Sequence, residues 1–178
     1  MRFAPLVLCL ASCGGPTPAP AERAPAFTVG ELRVEVADGA RAMEPVCFSE
    51  ERCDALDSDC DGTIDEGCDG VTTGALDVAM TWDGAGSLTL VAEGPTEAIG
   101  RDASGDCADA TWGRAGSRSF ESLAPGTYRV AIAATGTCET EGPHTASVTA
   151  AAGGRVLGIW NVSVESETTE VLRIIVGS

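Results

Sequence analysis

Lysine is absent from this chain of 178 residues, histidine and tyrosine occur once each, and aromatic residues make up 4% of the composition. The eleven basic residues are all arginine, and they face twenty-seven aspartates and glutamates. So negative a surface repels nucleic acid and anionic lipid headgroups, whose binding needs clustered positive charge. Cations are its natural partners. Without lysine there is no S-x-x-K nucleophile pair, and with His144 as the one imidazole there is no H-E-x-x-H metal site. A G-x-S-x-G elbow is missing too. His144 sits in "EGPHTAS", which reads as a surface turn, where a lone histidine is solvated. Acidic residues are so numerous that a carboxylate dyad cannot be located by residue type. No apolar run approaches the roughly twenty residues that a membrane-spanning helix needs.

The run that is present, "FAPLVLCL" after Met1 and Arg2, is short and reads as an export signal. The "LASC" that follows, Leu10 to Cys13, resembles the bacterial lipobox, in which cleavage before the cysteine is coupled to diacylation of its sulfur. The resemblance implies a signal over 1–12 and a lipidated Cys13; an ordinary secretory signal is the competing reading. Residues 14–26, "GGPTPAPAERAPA", have no apolar periodicity and suit an extended tether with a reach of roughly 40 Å. The lipidated cysteine and tether together take 13–27. A membrane partner through the lipid anchor follows, as does an exported location in the cell envelope, at the outer membrane or cell surface.

Once Cys9 has left with the signal, Cys47, Cys53, Cys60, Cys68, Cys107 and Cys138 remain, an even number as a disulfide framework requires. Fifteen connectivities are open. Clustering favours pairing within the first four and between the last two.

Outside the cysteine cluster the chain alternates apolar and polar residues with the period of half-buried strands. Leu32, Val34 and Val36 share one face; so do Leu76, Val78, Met80 and Trp82; so do Leu88, Leu90 and Ala92; and so do Tyr128, Val130 and Ile132. "TASVTAA", "RVLGIWNVSVES" and "TTEVLRIIVG" continue the pattern. In "LAPGTY", Pro125 and Gly126 suit a type II turn with positive φ at the glycine. Seven or so short strands without an amphipathic helix predict a mainly β fold, an antiparallel β-sandwich or jelly roll, with a small disulfide-stapled, aspartate-rich module near its amino-terminal end. The expected organisation is a strand over 28–43 joining the sandwich, the module over 44–70 and the sandwich domain over 71–178. Residues 94–119 read as a long loop or a pair of irregular edge strands. Trp82 and Trp160 share strand periodicity and belong to the core, whereas Trp112 is a candidate for stacking on a sugar ring.

The module holds the most informative stretch, "CDALDSDCDGTIDEGCDG", residues 53–70, with seven acids and three cysteines. Asp57, Asp59 and Asp61 alternate, Gly62 permits a sharp turn, and Thr63 and Asp65 follow. Carboxylates so spaced on a tight loop can converge on one hard cation. The spacing resembles the first nine positions of an EF-hand calcium loop, with Thr63 supplying a backbone carbonyl and Ile64 at the apolar position. It departs from that pattern at the twelfth position, where Cys68 replaces the bidentate glutamate; Glu66 and Asp69 are near enough to substitute. With its cysteines, "CDALDSDCDGTIDEGC" is similar to the MopE-type metal-binding motif of bacterial surface and secreted proteins, and to the calcium repeats of thrombospondin type 3. Cys53, Asp54, Asp57, Asp59, Cys60, Asp61, Gly62, Asp65 and Glu66 carry the match, with Ala55 and Ser58 departing from it.

This resemblance implies a metal site built from Asp57, Asp59, Asp61, Thr63, Asp65, Glu66 and Asp69. Oxygen donors favour calcium over copper. An acidic linker without an ion is the competing reading, and a four-cysteine zinc site is a third, disfavoured where thiols are oxidised. "LDVAMTWDGAGSLTLVA" and "LAPGTYRVAI" loosely resemble jelly-roll modules appended to secreted bacterial proteases, which implies binding or support. The expected function is therefore that of a non-catalytic envelope lipoprotein with a calcium-binding motif, whose sandwich serves binding, adhesion or structure toward a protein or glycan partner. The alternative is an accessory subunit or hydrolase with a carbohydrate- or protein-binding loop site.

Overall fold

A computed structural model describes residues 32–52, 56–64, 67–68, 74–83, 88–101, 115–134, 144–164 and 167–177. Among the described residues there are ten strands and no helix: β1 (Leu32–Val36), β2 (Arg41–Met43), β3 (Leu76–Asp83), β4 (Leu88–Glu93), β5 (Ile99–Arg101), β6 (Ala115–Phe120), β7 (Gly126–Ala134), β8 (His144–Ala152), β9 (Val156–Val164) and β10 (Thr168–Val176). They form two sheets, one ordered β1-β10-β7-β4 and one ordered β2-β9-β8-β3-β6-β5. Every pairing is antiparallel. The sheets pack face to face, so the protein is an antiparallel β-sandwich.

The alternation seen in sequence is what closes it. Leu76, Val78, Met80 and Trp82 of β3 are all buried, and face Leu88 and Leu90 of β4, Tyr128, Val130 and Ile132 of β7, and Leu172 and Ile174 of β10 across the sandwich. A small residue on β8 leaves room for a large neighbour, since Ala146 lies opposite Trp82. Trp82 and Trp160 are each 4% exposed, so both belong to the core. β10 breaks strict alternation, because Val171 and Leu172 are adjacent and both fully buried. A register shift between Glu170 and Leu172 accounts for this, since a bulge turns consecutive side chains to one side.

The single tyrosine locks the crossing from β6 to β7. Tyr128 Oη accepts a hydrogen bond from Ala124 N at 2.8 Å and donates to Ala124 O at 3.2 Å, four residues upstream. This is the geometry of a tyrosine corner in Greek-key sandwiches. Its ring meets Phe120 edge to face at 4.8 Å, and Gly126 between them has φ 144°.

Two segments differ from the sequence expectation. β6 is a regular six-residue strand inside its sheet, between β3 and β5. Its sequence "AGSRSF" hides this, because Gly116 and Arg118, opposite the core residues Met80 and Val78, stand where large apolar residues would reveal the period. His144 is the first residue of β8, paired with Val164 and half-buried, and so already lies within the sheet. Trp112, Cys107 and Cys138 lie outside the described residues, as do 1–31 with Cys13.

Residues 32–43 straddle the sandwich. β1 pairs with β10 of one sheet, and after a turn at Asp38 and Gly39 the short β2 pairs with β9 of the other. The chain is thus delivered to the outer side of the six-stranded sheet, where the cysteine module begins.

Candidate functional site: an acidic loop docked on the sheet

From Glu44 to Cys68 the described residues contain no regular strand or helix, and the described residues that lead into the acidic loop do not form the entering helix of an EF-hand. Covalent and backbone links replace it. Cys47 and Cys60 form a disulfide with Cα atoms 5.5 Å apart, and Phe48 N donates to Ser58 O at 2.6 Å beside it. Cys68 is disulfide-bonded as well.

Within the loop the aspartates wrap the backbone around themselves. Asp61 N donates to Asp57 Oδ1 and to Asp59 Oδ1, both at 3.1 Å, Gly62 N donates to Asp57 Oδ2 at 3.0 Å, and Thr63 N donates to Asp61 Oδ1 at 2.8 Å. Each short acid thereby caps amides further along the chain, which is why aspartate suits these positions and glutamate does not. Two residues of the turn take the left-handed conformation, Cys60 at φ 62° and Gly62 at φ 99°. Cys60 is the one residue other than glycine to do so among the described residues.

A residue outside the sequence-derived set joins them. Glu51 Oε2 accepts from Ser58 N at 2.9 Å and from Asp59 N at 3.1 Å. One carboxylate oxygen each from Glu51, Asp57 and Asp59 lies within 4.8 Å of the others. Oxygens bound to one cation at about 2.4 Å can be no further apart than about 4.8 Å, and the three lie within that limit. Nothing in the sequence marks Glu51, because it lies upstream of Cys53 and outside the alternating aspartates. Asp61 belongs to the loop but not to this cluster, its Oδ1 being turned to Thr63 N. Thr63 is half-buried two residues on. Asp65, Glu66, Asp69 and Cys53 lie outside the described residues.

Asp57 is only 4% exposed. Burial raises its pKa from the ordinary aspartate value; the amides of Gly62 and Asp61 oppose the rise, and the charges of Asp61 and Asp59 add to it. Arg129 and Arg173 are committed elsewhere, since both bond Glu170 on the four-stranded sheet, at 2.8 and 2.9 Å. Arg52 stacks on the Phe48 ring at 3.8 Å. Arg155 lines a shallow cleft between the loop and the β8–β9 turn, together with Asp57, Asp61 and Gly154.

The loop is seated on the sandwich by its apolar position. Ile64 is 3% exposed and packs with Ala79 of β3, Ala151 of β8 and Val156 of β9, on the outer face of the six-stranded sheet. This explains why Ala79, which alternation turns away from the core, is buried all the same.

Fold and site together define a class: an antiparallel β-sandwich carrying a disulfide-bonded acidic loop. No protein-family model, curated protein or solved structure matches the chain.

Proposed function

We propose that this is an exported, lipid-anchored protein of the cell envelope whose acidic loop binds calcium and whose sandwich serves binding, adhesion or structural support without catalysis. The observation that carries the calcium reading is the convergence of Glu51, Asp57 and Asp59 oxygens within 4.8 Å around a carboxylate that is 4% exposed. Crowded, partly buried carboxylates repel one another, and a divalent ion bound to their oxygens removes that repulsion. The donors supporting the reading are Glu51, Asp57 and Asp59, with Asp61, Thr63, Asp65, Glu66 and Asp69 as the further candidates from the motif. Six to eight oxygens satisfy calcium, and hard oxygen donors disfavour copper. The anchor rests on Leu10 to Cys13 and the proline-rich tether.

Calorimetric titration of the full chain with calcium, after chelator treatment, tests the metal reading: a saturable heat and a rise in melting temperature are expected, and the absence of both sinks it. Mass spectrometry of the amino-terminal peptide from membranes tests the anchor, with a diacylated Cys13 expected and an unmodified one fatal to it.

A further inference from the structure

We infer that the Cys47–Cys60 disulfide is a redox-sensitive latch: it holds the acidic loop on the β8–β9 turn, and its reduction by a thiol frees the loop while both sheets stay folded. Three observations support this, and none depends on a bound ion.

The first is backbone geometry. Cys60 is held at φ 62°, a left-handed conformation that is strained for a residue with a Cβ. A bond that pins its side chain to Cys47, with Phe48 N donating to Ser58 O alongside, maintains it. Once the bond opens, residue 60 relaxes toward negative φ. The amides of Asp61 and Gly62 then leave the Asp57 carboxylate that they cap.

The second is access. Cys47 and Cys60 are both exposed residues, so a small thiol can reach the bond. A reductant thiolate attacks one sulfur, the S–S bond breaks, a mixed disulfide forms, and the other cysteine departs as a thiolate that takes up a proton. A second reductant thiolate attacks the reductant's sulfur in the mixed disulfide and expels the remaining cysteine as a thiolate that takes up a proton, so two thiols are oxidised to one disulfide and two cysteine thiols result.

The third is the separation of the latch from the core. The large cluster of buried side chains draws on both sheets and includes no residue between 44 and 68. The loop meets the sandwich through Ile64 and through Gly62 beside Gly154. The sheets therefore have their own reason to stay folded, and Cys68, held in another disulfide, has no share in this bond.

Amide hydrogen exchange on the full chain tests the latch in three states: oxidised, treated with dithiothreitol, and carrying Cys47→Ser with Cys60→Ser. In both altered states, exchange at Asp61 and Gly62 is expected to speed up by about tenfold or more, with β3 and β8 amides unchanged. Unchanged exchange at Asp61 and Gly62 overturns the proposal, and so does equal loss of protection in β3 and β8. Should the double variant fail to fold, the native chain decides, at a dithiothreitol dose where alkylation and mass spectrometry show Cys47 and Cys60 reduced and Cys68 still disulfide-bonded. Calcium titration of the oxidised chain reports separately on the metal reading: its failure there leaves the latch standing.

Discussion

Gly62 lies so close to Gly154 that a Cβ built on it would stand 1.9 Å from the Gly154 carbonyl oxygen. One glycine thus meets two demands, a left-handed turn inside the acidic loop and close approach to the β8–β9 turn. The sequence motif explains only the first.

Gly62→Ala should accordingly do more than strain a turn. Positive φ alone costs an alanine about 1–2 kcal/mol, and the backbone clash must push the loop off the sandwich. Ile64→Ala removes the apolar seat but leaves the loop backbone intact, at an expected cost of about 2–3 kcal/mol. Urea unfolding followed by tryptophan fluorescence measures both. If Gly62→Ala is as stable as the native chain, the docking is not as tight as the geometry requires.

Much of the fold was legible because its strands announce themselves by period two. β3, β4 and β7 have one face of large residues and turn residues at their ends, and burial of the large side chains follows that face; β10 does so beyond its bulge, from Leu172 on. β6 was not legible: "AGSRSF" packs small residues against β3 and β5, and only Phe120 gives a large apolar signal. The loop was legible as aspartates on alternate positions, since Asp57, Asp59 and Asp61 cap amides along one turn as that spacing suggests. Glu51 was not, because its approach to Asp57 and Asp59 depends on the fold-back that the Cys47–Cys60 bridge imposes. Nor could sequence show that Ile64, the apolar position of a calcium loop, is spent on the sandwich face.

Two hydroxyls of the sandwich should respond in opposite directions when removed. Tyr128 Oη both accepts from and donates to Ala124, so Tyr128→Phe should lose about 1–2 kcal/mol. Thr149 Oγ1 is fully buried with no hydrogen-bond partner, on the outer face of its sheet opposite Ala79. Thr149→Val keeps the shape and removes the desolvated hydroxyl, so a gain of about 1 kcal/mol is expected. A chemical-denaturation midpoint for Tyr128→Phe no lower than that of the native chain would contradict the first assignment, and one for Thr149→Val no higher would contradict the second.

Asp77 predicts a pH dependence of definite sign. Its Oδ1 accepts from Gly74 N at 2.8 Å and from the buried Ser119 hydroxyl. Burial nevertheless outweighs these bonds and pushes its pKa up from 3.8 to about 6. The folded chain therefore holds a proton in a range where the unfolded chain has released it. The stabilisation is fully present below pH 3.8 and is lost as pH rises through about 6. Asp77→Asn keeps an acceptor for both bonds but cannot ionise. The difference in unfolding free energy between variant and native chain should grow between pH 4 and pH 7, reaching up to about 3 kcal/mol. A flat difference across that range would remove Asp77 as its origin.

The last prediction separates Glu51 from the aspartates of the motif. Glu51 offers one of the three clustered carboxylate oxygens, yet it also accepts from two loop amides. Glu51→Gln retains an acceptor for those amides and removes the charge. If Glu51 is a ligand, calcium affinity should fall by about tenfold or more, since affinity in such sites follows ligand charge, with little change in the stability of the calcium-free chain. If it serves only to shape the loop, the glutamine variant should bind as the native chain does, while Glu51→Ala loosens the loop and weakens binding. Asp57→Asn is the reference, because Asp57 is buried within the cluster and also caps Asp61 and Gly62. Isothermal titration with calcium across the four proteins distinguishes a ligand from a brace: Glu51→Gln matching Asp57→Asn makes Glu51 a ligand, and Glu51→Gln matching the native chain makes it a brace.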